Sequence, residues 1–176
     1  LRASARRLKK AFAAGDIEAI ERLRTIVPEP KAPKHADFLH VVARECGFES
    51  WPKLKTAAET AQMNREQKAK RLERALYFGQ TWVVEALLAG DPSLAQENFG
   101  LEVALYDREA VAARLAQSSV AATEKSGGRA PILHLAYSRY IHMEPDKRDD
   151  MLAIAALLVM QWPERSLWYD ETVNAY

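Results

Sequence analysis

One fourteen-residue pattern in this chain occurs twice, and it restricts the possible folds more than any other feature. Ala75-Leu76-Tyr77-Phe78-Gly79-Gln80-Thr81-Trp82-Val83-Val84-Glu85-Ala86-Leu87-Leu88 lies without a gap over Ala11-Phe12-Ala13-Ala14-Gly15-Asp16-Ile17-Glu18-Ala19-Ile20-Glu21-Arg22-Leu23-Arg24, at an offset of 75 − 11 = 64. Ala, Gly, a β-branched aliphatic, Glu and Leu fall in register. A third copy begins at Ala104-Leu105-Tyr106, at an offset of 104 − 75 = 29. It runs to Leu115, which answers Leu88 at 115 − 88 = 27, so two residues are expected to be missing from its inter-helix turn. There the Asp107-Arg108 region stands for the glycine. Val42 to Gly47 followed by Phe48 to Leu54 is a further copy. His134-Leu135-Ala136-Tyr137 with Met151 to Met160 is the last.

The logic of each copy is the same. A short helix ends near a glycine able to take positive φ, a tight turn follows, and a second helix carries paired aliphatics. Neither helix alone can bury its apolar face, whereas stacked neighbours can. The chain is therefore expected to be all-α: an α-solenoid of about five stacked helix-turn-helix repeats in one domain over 1–176. The units are placed at about 5–27, 36–60, 67–95, 100–123 and 130–161, followed by a tail at 162–176. Pro28, Pro30 and Pro33 make an extended connector. Asp91-Pro92 stops a helix, and Pro131 suits the first turn of a new one. Met143 to Asp150 reads as a solvated loop inserted between the helices of the last unit. Met151 to Met160 has no polar residue on any face, so it requires burial all round. The tail, with Trp162, Leu167, Trp168, Tyr169, Val173 and Tyr176, is apolar enough to fold back over it. A homodimer through this C-terminal end is the second option.

Composition agrees with helices, because hydrophobic residues make up 48% and Gly totals only 7. The net charge of +1 gives no strong field for nucleic acid. Arg2, Arg6, Arg7, Lys9 and Lys10 are locally basic and read as a solvated helix face around Leu8 and Phe12. The single cysteine, Cys46, permits no internal disulfide, which fits a reducing, cytoplasmic setting. The first residue is Leu, so the chain reads as a fragment or trimmed piece. No signal peptide is evident, and the longest apolar run is too short to cross a bilayer.

These units resemble ankyrin repeats, whose period is about 33 residues with a T-P-L-H-x-A signature. Ala130-Pro131-Ile132-Leu133-His134-Leu135-Ala136 is similar to that signature, with Ala for Thr and one extra residue before the His. Phe38-Leu39-His40-Val41-Val42-Ala43 is a weaker echo. Ala43 to Lys55 resembles a stretch associated with bacterial ankyrin-repeat proteins. The usual G-A-D-x-N ending is absent, which leaves another helical-repeat family or a plain α-bundle open. Short helices punctuated by Gly and Pro argue against the bundle. The resemblance implies structural roles for His134, Gly15, Gly47 and Gly79. It also implies that the two positions before each helix-ending glycine point to a concave binding face. Those are Ala13 and Ala14, Glu45 and Cys46, Tyr77 and Phe78, Tyr106 and Asp107, and Ser138 and Arg139. With the blank first pair and Cys46 set aside, Glu45, Tyr77, Phe78, Tyr106, Asp107, Ser138 and Arg139 are the candidate protein-binding residues.

Catalytic chemistry finds little support in the residues. The histidines His35, His40, His134 and His142 make no zinc spacing. Cys46 sits at a helix C-terminus, which is electronegative and disfavours a thiolate. Asp146, Asp149 and Asp150 lack the ligand alternation and turn glycine of a metal loop. No phosphate loop or nucleophile elbow occurs. The expected function is non-catalytic protein binding, with no cofactor, metal or membrane. The rivals are nucleic-acid binding through the basic N-terminal helix and an accessory domain of an enzyme.

Overall fold

The computed structural model describes residues 1–28 and 32–161. Among these residues there are ten α-helices and no strand, and the connections include short 3-10 turns. Contacts divide the chain into two compact units, Leu1–Gln62 and Met63–Tyr176, the second described as far as Gln161.

The first unit contains α1 (Arg2–Ala13), α2 (Ile17–Arg24), α3 (His35–Glu45) and α4 (Trp51–Thr60). Its core joins Ala5 and Leu8 of α1 to Leu23, Phe38, Val41, Val42 and Leu54. The Phe12 and Phe38 rings meet edge-on with centroids 5.8 Å apart. All five basic residues at the start of α1 are exposed, on the side away from Ala5 and Leu8.

The second unit contains α5 (Arg65–Tyr77), α6 (Thr81–Gly90), α7 (Phe99–Ala104), α8 (Arg108–Gln117), α9 (Pro131–Tyr137) and α10 (Arg148–Met160). One core group gathers Leu72, Leu76, Val83, Val84, Leu87, Leu94 and Leu101. A second gathers Val103, Tyr106, Val111, Leu115, Ile154 and Leu158.

One turn closes four of the helix pairs. The N–H groups of Asp16, Phe48, Gln80 and Asp107 donate to the carbonyls of Ala11, Ala43, Ala75 and Glu102 at 3.1, 2.9, 2.8 and 3.0 Å. Each bond reaches back five residues over a residue with positive φ: Gly15 at 80°, Gly47 at 82°, Gly79 at 62° and Tyr106 at 56°. This is the Schellman ending of a helix. The left-handed residues recur at 47 − 15 = 32 and 79 − 47 = 32, then at 106 − 79 = 27.

The last interval corrects the sequence alignment of the third copy. Helices α6 and α8 begin at Thr81 and Arg108, again 27 apart, so no residue is missing from the inter-helix turn. Tyr106 itself takes the glycine's place, and the shortening falls in the first helix, 6 residues in α7 against 13 in α5. Tyr77 and Tyr106 therefore do not correspond, because one lies within its helix and the other beyond it. A side chain in the left-handed region costs about 1–2 kcal/mol. Burial offsets it here: Tyr106 is fully buried, its ring lies 5.7 Å from that of Tyr140, and its hydroxyl donates to the Ser138 carbonyl at 3.3 Å.

The last pair is built differently. Ser138 ends α9 in an extended conformation. Its hydroxyl donates to the Ala104 carbonyl at 2.6 Å and accepts from the Tyr140 N–H at 3.2 Å. The stretch from Met143 to Asp150 is not a free loop. Met143 packs on the core, Pro145–Lys147 forms a 3-10 turn, and α10 begins at Arg148. Asp149 and Asp150 sit in its first turn, where negative charge meets the positive end of the helix. Helix α10 buries Ile154 and Leu158 but leaves Leu152, Val159 and Met160 exposed, so burial all round is not realised among the described residues. The expected fold-back of 162–176 lies outside the described residues.

Every residue of α7 is buried, including Glu102. Helices α5 and α9 meet over it: the Tyr77 and Tyr137 rings are 5.9 Å apart, and the Arg139 N–H donates to the Leu76 carbonyl at 3.0 Å. The Glu102 carboxylate is held by Arg114 of α8, whose Nε and Nη2 lie 3.1 and 2.5 Å from its two oxygens. The Arg114 guanidinium is half-exposed, and it also stands 5.7 Å from the Phe99 ring. Arg114→Met should cost about 2 kcal/mol, below the full value for a buried pair because water reaches the arginine. Urea denaturation measures the loss. Adding Glu102→Gln should recover part of it, and no recovery would mean the carboxylate is not what suffers.

Candidate protein-binding face

Helix α5 starts with a reciprocal cap, in which the Asn64 side chain accepts from the Gln67 N–H and the Gln67 side chain accepts from the Asn64 N–H, both at 2.9 Å. It buries Ala69, Leu72, Ala75 and Leu76 and leaves Arg74 and Phe78 outside. Helix α9 starts at Pro131, where a missing N–H costs nothing. It buries Pro131, His134 and Leu135 and leaves Leu133, Ala136 and Tyr137 exposed. Phe78 and Tyr137 are 63% and 53% exposed, and their helix ends are brought together where Tyr77 meets Tyr137 and Arg139 lies against Gly79. Arginines accompany them. The Arg74 guanidinium is 5.7 Å from the Phe78 ring centre. That of Arg129 is 5.2 Å from Tyr77 and 5.9 Å from Tyr137. The Arg139 side chain lies over Gly79, where an added Cβ would come within 3.3 Å of its Cδ.

His134 fastens this surface from below. It is fully buried, with Nε2 2.9 Å from the Ser126 carbonyl and Nδ1 2.6 Å from the Tyr77 hydroxyl. A carbonyl can only accept, so Nε2 donates, and in the neutral ring Nδ1 accepts from Tyr77. The Tyr77 oxygen also lies 3.1 Å from Glu73, whose carboxylate accepts from Arg129 at 3.1 Å. Burial, and then the Glu73 charge, push the Tyr77 pKa upward. Its hydroxyl therefore keeps its proton. The imidazole lies directly on Gly100 of α7, where no side chain would fit.

The residues singled out in the sequence divide accordingly. Phe78 and Arg139 are exposed, and Tyr77 is half-buried at the edge of the same surface. Tyr106 and Ser138 are buried, so neither can touch a partner; the two positions before the left-handed residue of that unit are Ala104 and Leu105, also buried. Asp107 is partly buried and caps α8, accepting from the Ala110 N–H at 3.1 Å. Glu45 is exposed but belongs to the first unit, where it pairs with Arg22 through bonds of 2.8 and 2.9 Å. Cys46 is exposed. Gly15, Gly47 and Gly79 all occupy the left-handed turn position.

Sequence reasoning passed over Arg74, Arg129 and Tyr137. Arg129 carried no signal beyond following Gly127-Gly128. Tyr137 shares its helix-end position with Tyr77, a match that could have been used. Among the described residues, no group of three or more His, Cys, Asp or Glu side chains could hold a metal ion. No described helix is long and apolar enough to cross a membrane. No family model, no curated protein and no solved structure matches the chain.

Proposed function

We propose that this chain is a non-catalytic protein-interaction module, an array of ankyrin-like helix pairs that binds a partner protein through the outer surface of α5 and α9. The observation that carries the reading is the exposure of Phe78 and Tyr137 amid three arginines. Aromatic and arginine side chains dominate the energetics of protein interfaces. Exposed aromatics that gather with one another and with arginines mark interaction surfaces, whereas ones scattered singly need no partner. The 32-residue recurrence of the left-handed turn supports the repeat assignment. A cytoplasmic setting suits an exposed lone thiol.

A photo-crosslinking amino acid at position 78 or 137 tests the reading, with Glu85 on α6 as the control site. Adducts with one protein of the native lysate are expected from 78 and 137 and not from 85. Phe78→Ala with Tyr137→Ala should weaken the captured complex by about 2 kcal/mol or more, roughly thirtyfold, with little change in melting temperature. Adducts spread equally over all three positions would refute the assignment of the surface.

A further inference from the structure

We infer that the partner presents to α5 and α9 an acidic segment, with an apolar or aromatic side chain between carboxylates. This deepens the binding role proposed above and rests on it. Arg129 is already neutralised by Glu73, at 3.1 Å. Arg74 and Arg139 have no carboxylate within 4 Å among the described residues, and they stand beside the exposed aromatics rather than apart from them. The cluster therefore carries three positive charges and one negative, 3 − 1 = +2, in a chain whose total is only +1.

Geometry selects the kind of anion. A guanidinium resting on an aromatic ring has lost part of its rotamer freedom, and its planar fork of N–H groups suits a carboxylate bidentately. Arg74 rests in this way against Phe78, and Arg139 lies across Gly79 next to it. Phe78 and Tyr137 supply the apolar footing between such contacts. A nucleic-acid strand fits less well. Base stacking needs open ring faces and a continuous basic track, whereas Tyr77 is half-buried with its hydroxyl engaged and the Glu73 carboxylate lies within the cluster.

The test is a random-peptide phage library panned on the whole chain. Arg74→Gln with Arg139→Gln, and Phe78→Ala with Tyr137→Ala, are panned in parallel. Selected peptides are expected to be enriched in Asp and Glu around Leu, Phe, Tyr or Trp. Replacing their acids by Asn and Gln should weaken binding about tenfold or more, with a similar loss in the arginine variant. Affinity should fall as salt is raised. Selected peptides with no acidic bias, still lost in the Phe78 and Tyr137 variant, would overturn the acidic partner and leave the binding surface standing. Peptides indifferent to both variants, or no enrichment at all, would also overturn the inference. The surface would then be judged by the crosslinks from 78 and 137, which involve no peptide. A single-stranded oligonucleotide that binds through Arg74 and Arg139 more tightly than any selected peptide overturns it in favour of nucleic acid.

Discussion

Tyr106→Ala is expected to remove about 3–5 kcal/mol of stability, the usual cost of truncating a buried aromatic. The side chain is fully buried among Val103, Val111, Leu135 and Ile154. Alanine would leave that space empty and still have to adopt a φ of 56°. Tyr106→Gly loses the same ring but removes the backbone penalty, so it should be about 1 kcal/mol less damaging than alanine. Tyr106→Phe gives up only a long hydroxyl bond to Ser138, 3.3 Å, and should stay within about 1 kcal/mol of the parent. Denaturant midpoints for the three variants establish the order Phe, Gly, Ala. An alanine variant more stable than the glycine one would exclude a left-handed backbone at this position.

Gly100→Ala should be comparably harmful, about 2–4 kcal/mol, combining overpacking with lost hydrogen bonds. Within a helix this change ordinarily stabilises by up to about 1 kcal/mol, so its sign is diagnostic. The new Cβ would lie 2.6 Å from His134 Cε1 and 2.8 Å from each ring nitrogen. The ring cannot turn aside freely, because both nitrogens are engaged, one with Ser126 and one with Tyr77. His134→Ala empties the site and should cost about 1–3 kcal/mol alone through the unpaired groups left behind. The double variant should fall short of the summed losses by about 1–2 kcal/mol, since the clash disappears with the ring and the histidine's lost hydrogen bonds are counted in both singles. Strict additivity would show that the imidazole does not rest on Gly100.

The helical architecture was readable because it rests on a local device. A glycine ending one helix and an aliphatic pair in the next recur in plain sight, and Gly15, Gly47 and Gly79 take the turn position expected of them. Tyr106 escaped detection because the preference for glycine there is a matter of about 1–2 kcal/mol, which buried surface can outweigh. The likeness of Ala104-Leu105-Tyr106 to Ala75-Leu76-Tyr77 then suggested a false register. The site was less readable still. Glu102 lies between Leu101 and Val103 in an apolar run, and the partner that holds it, Arg114, lies on the next helix. His134 and Tyr77 are 57 positions apart, and only packing around α7 brings them within 2.6 Å. The helix ends that carry Phe78 and Tyr137 are brought together for the same reason.

In a row of helix pairs that touch only their immediate neighbours, damage at one end can fray without disturbing the rest. The bridge from α5 to α9 over α7 breaks that linear order. The helix pair at Arg65–Gly90 is bonded directly to the helix at Pro131–Tyr137, with the short helix Phe99–Ala104 enclosed between them. Contacts that close a ring cannot be released one at a time: opening α9 exposes α7 and at once frees Leu76 and Tyr77 at the end of α5. The second unit is thereby expected to melt as one cooperative block, with a mutation at either end of the ring lowering the stability of the whole.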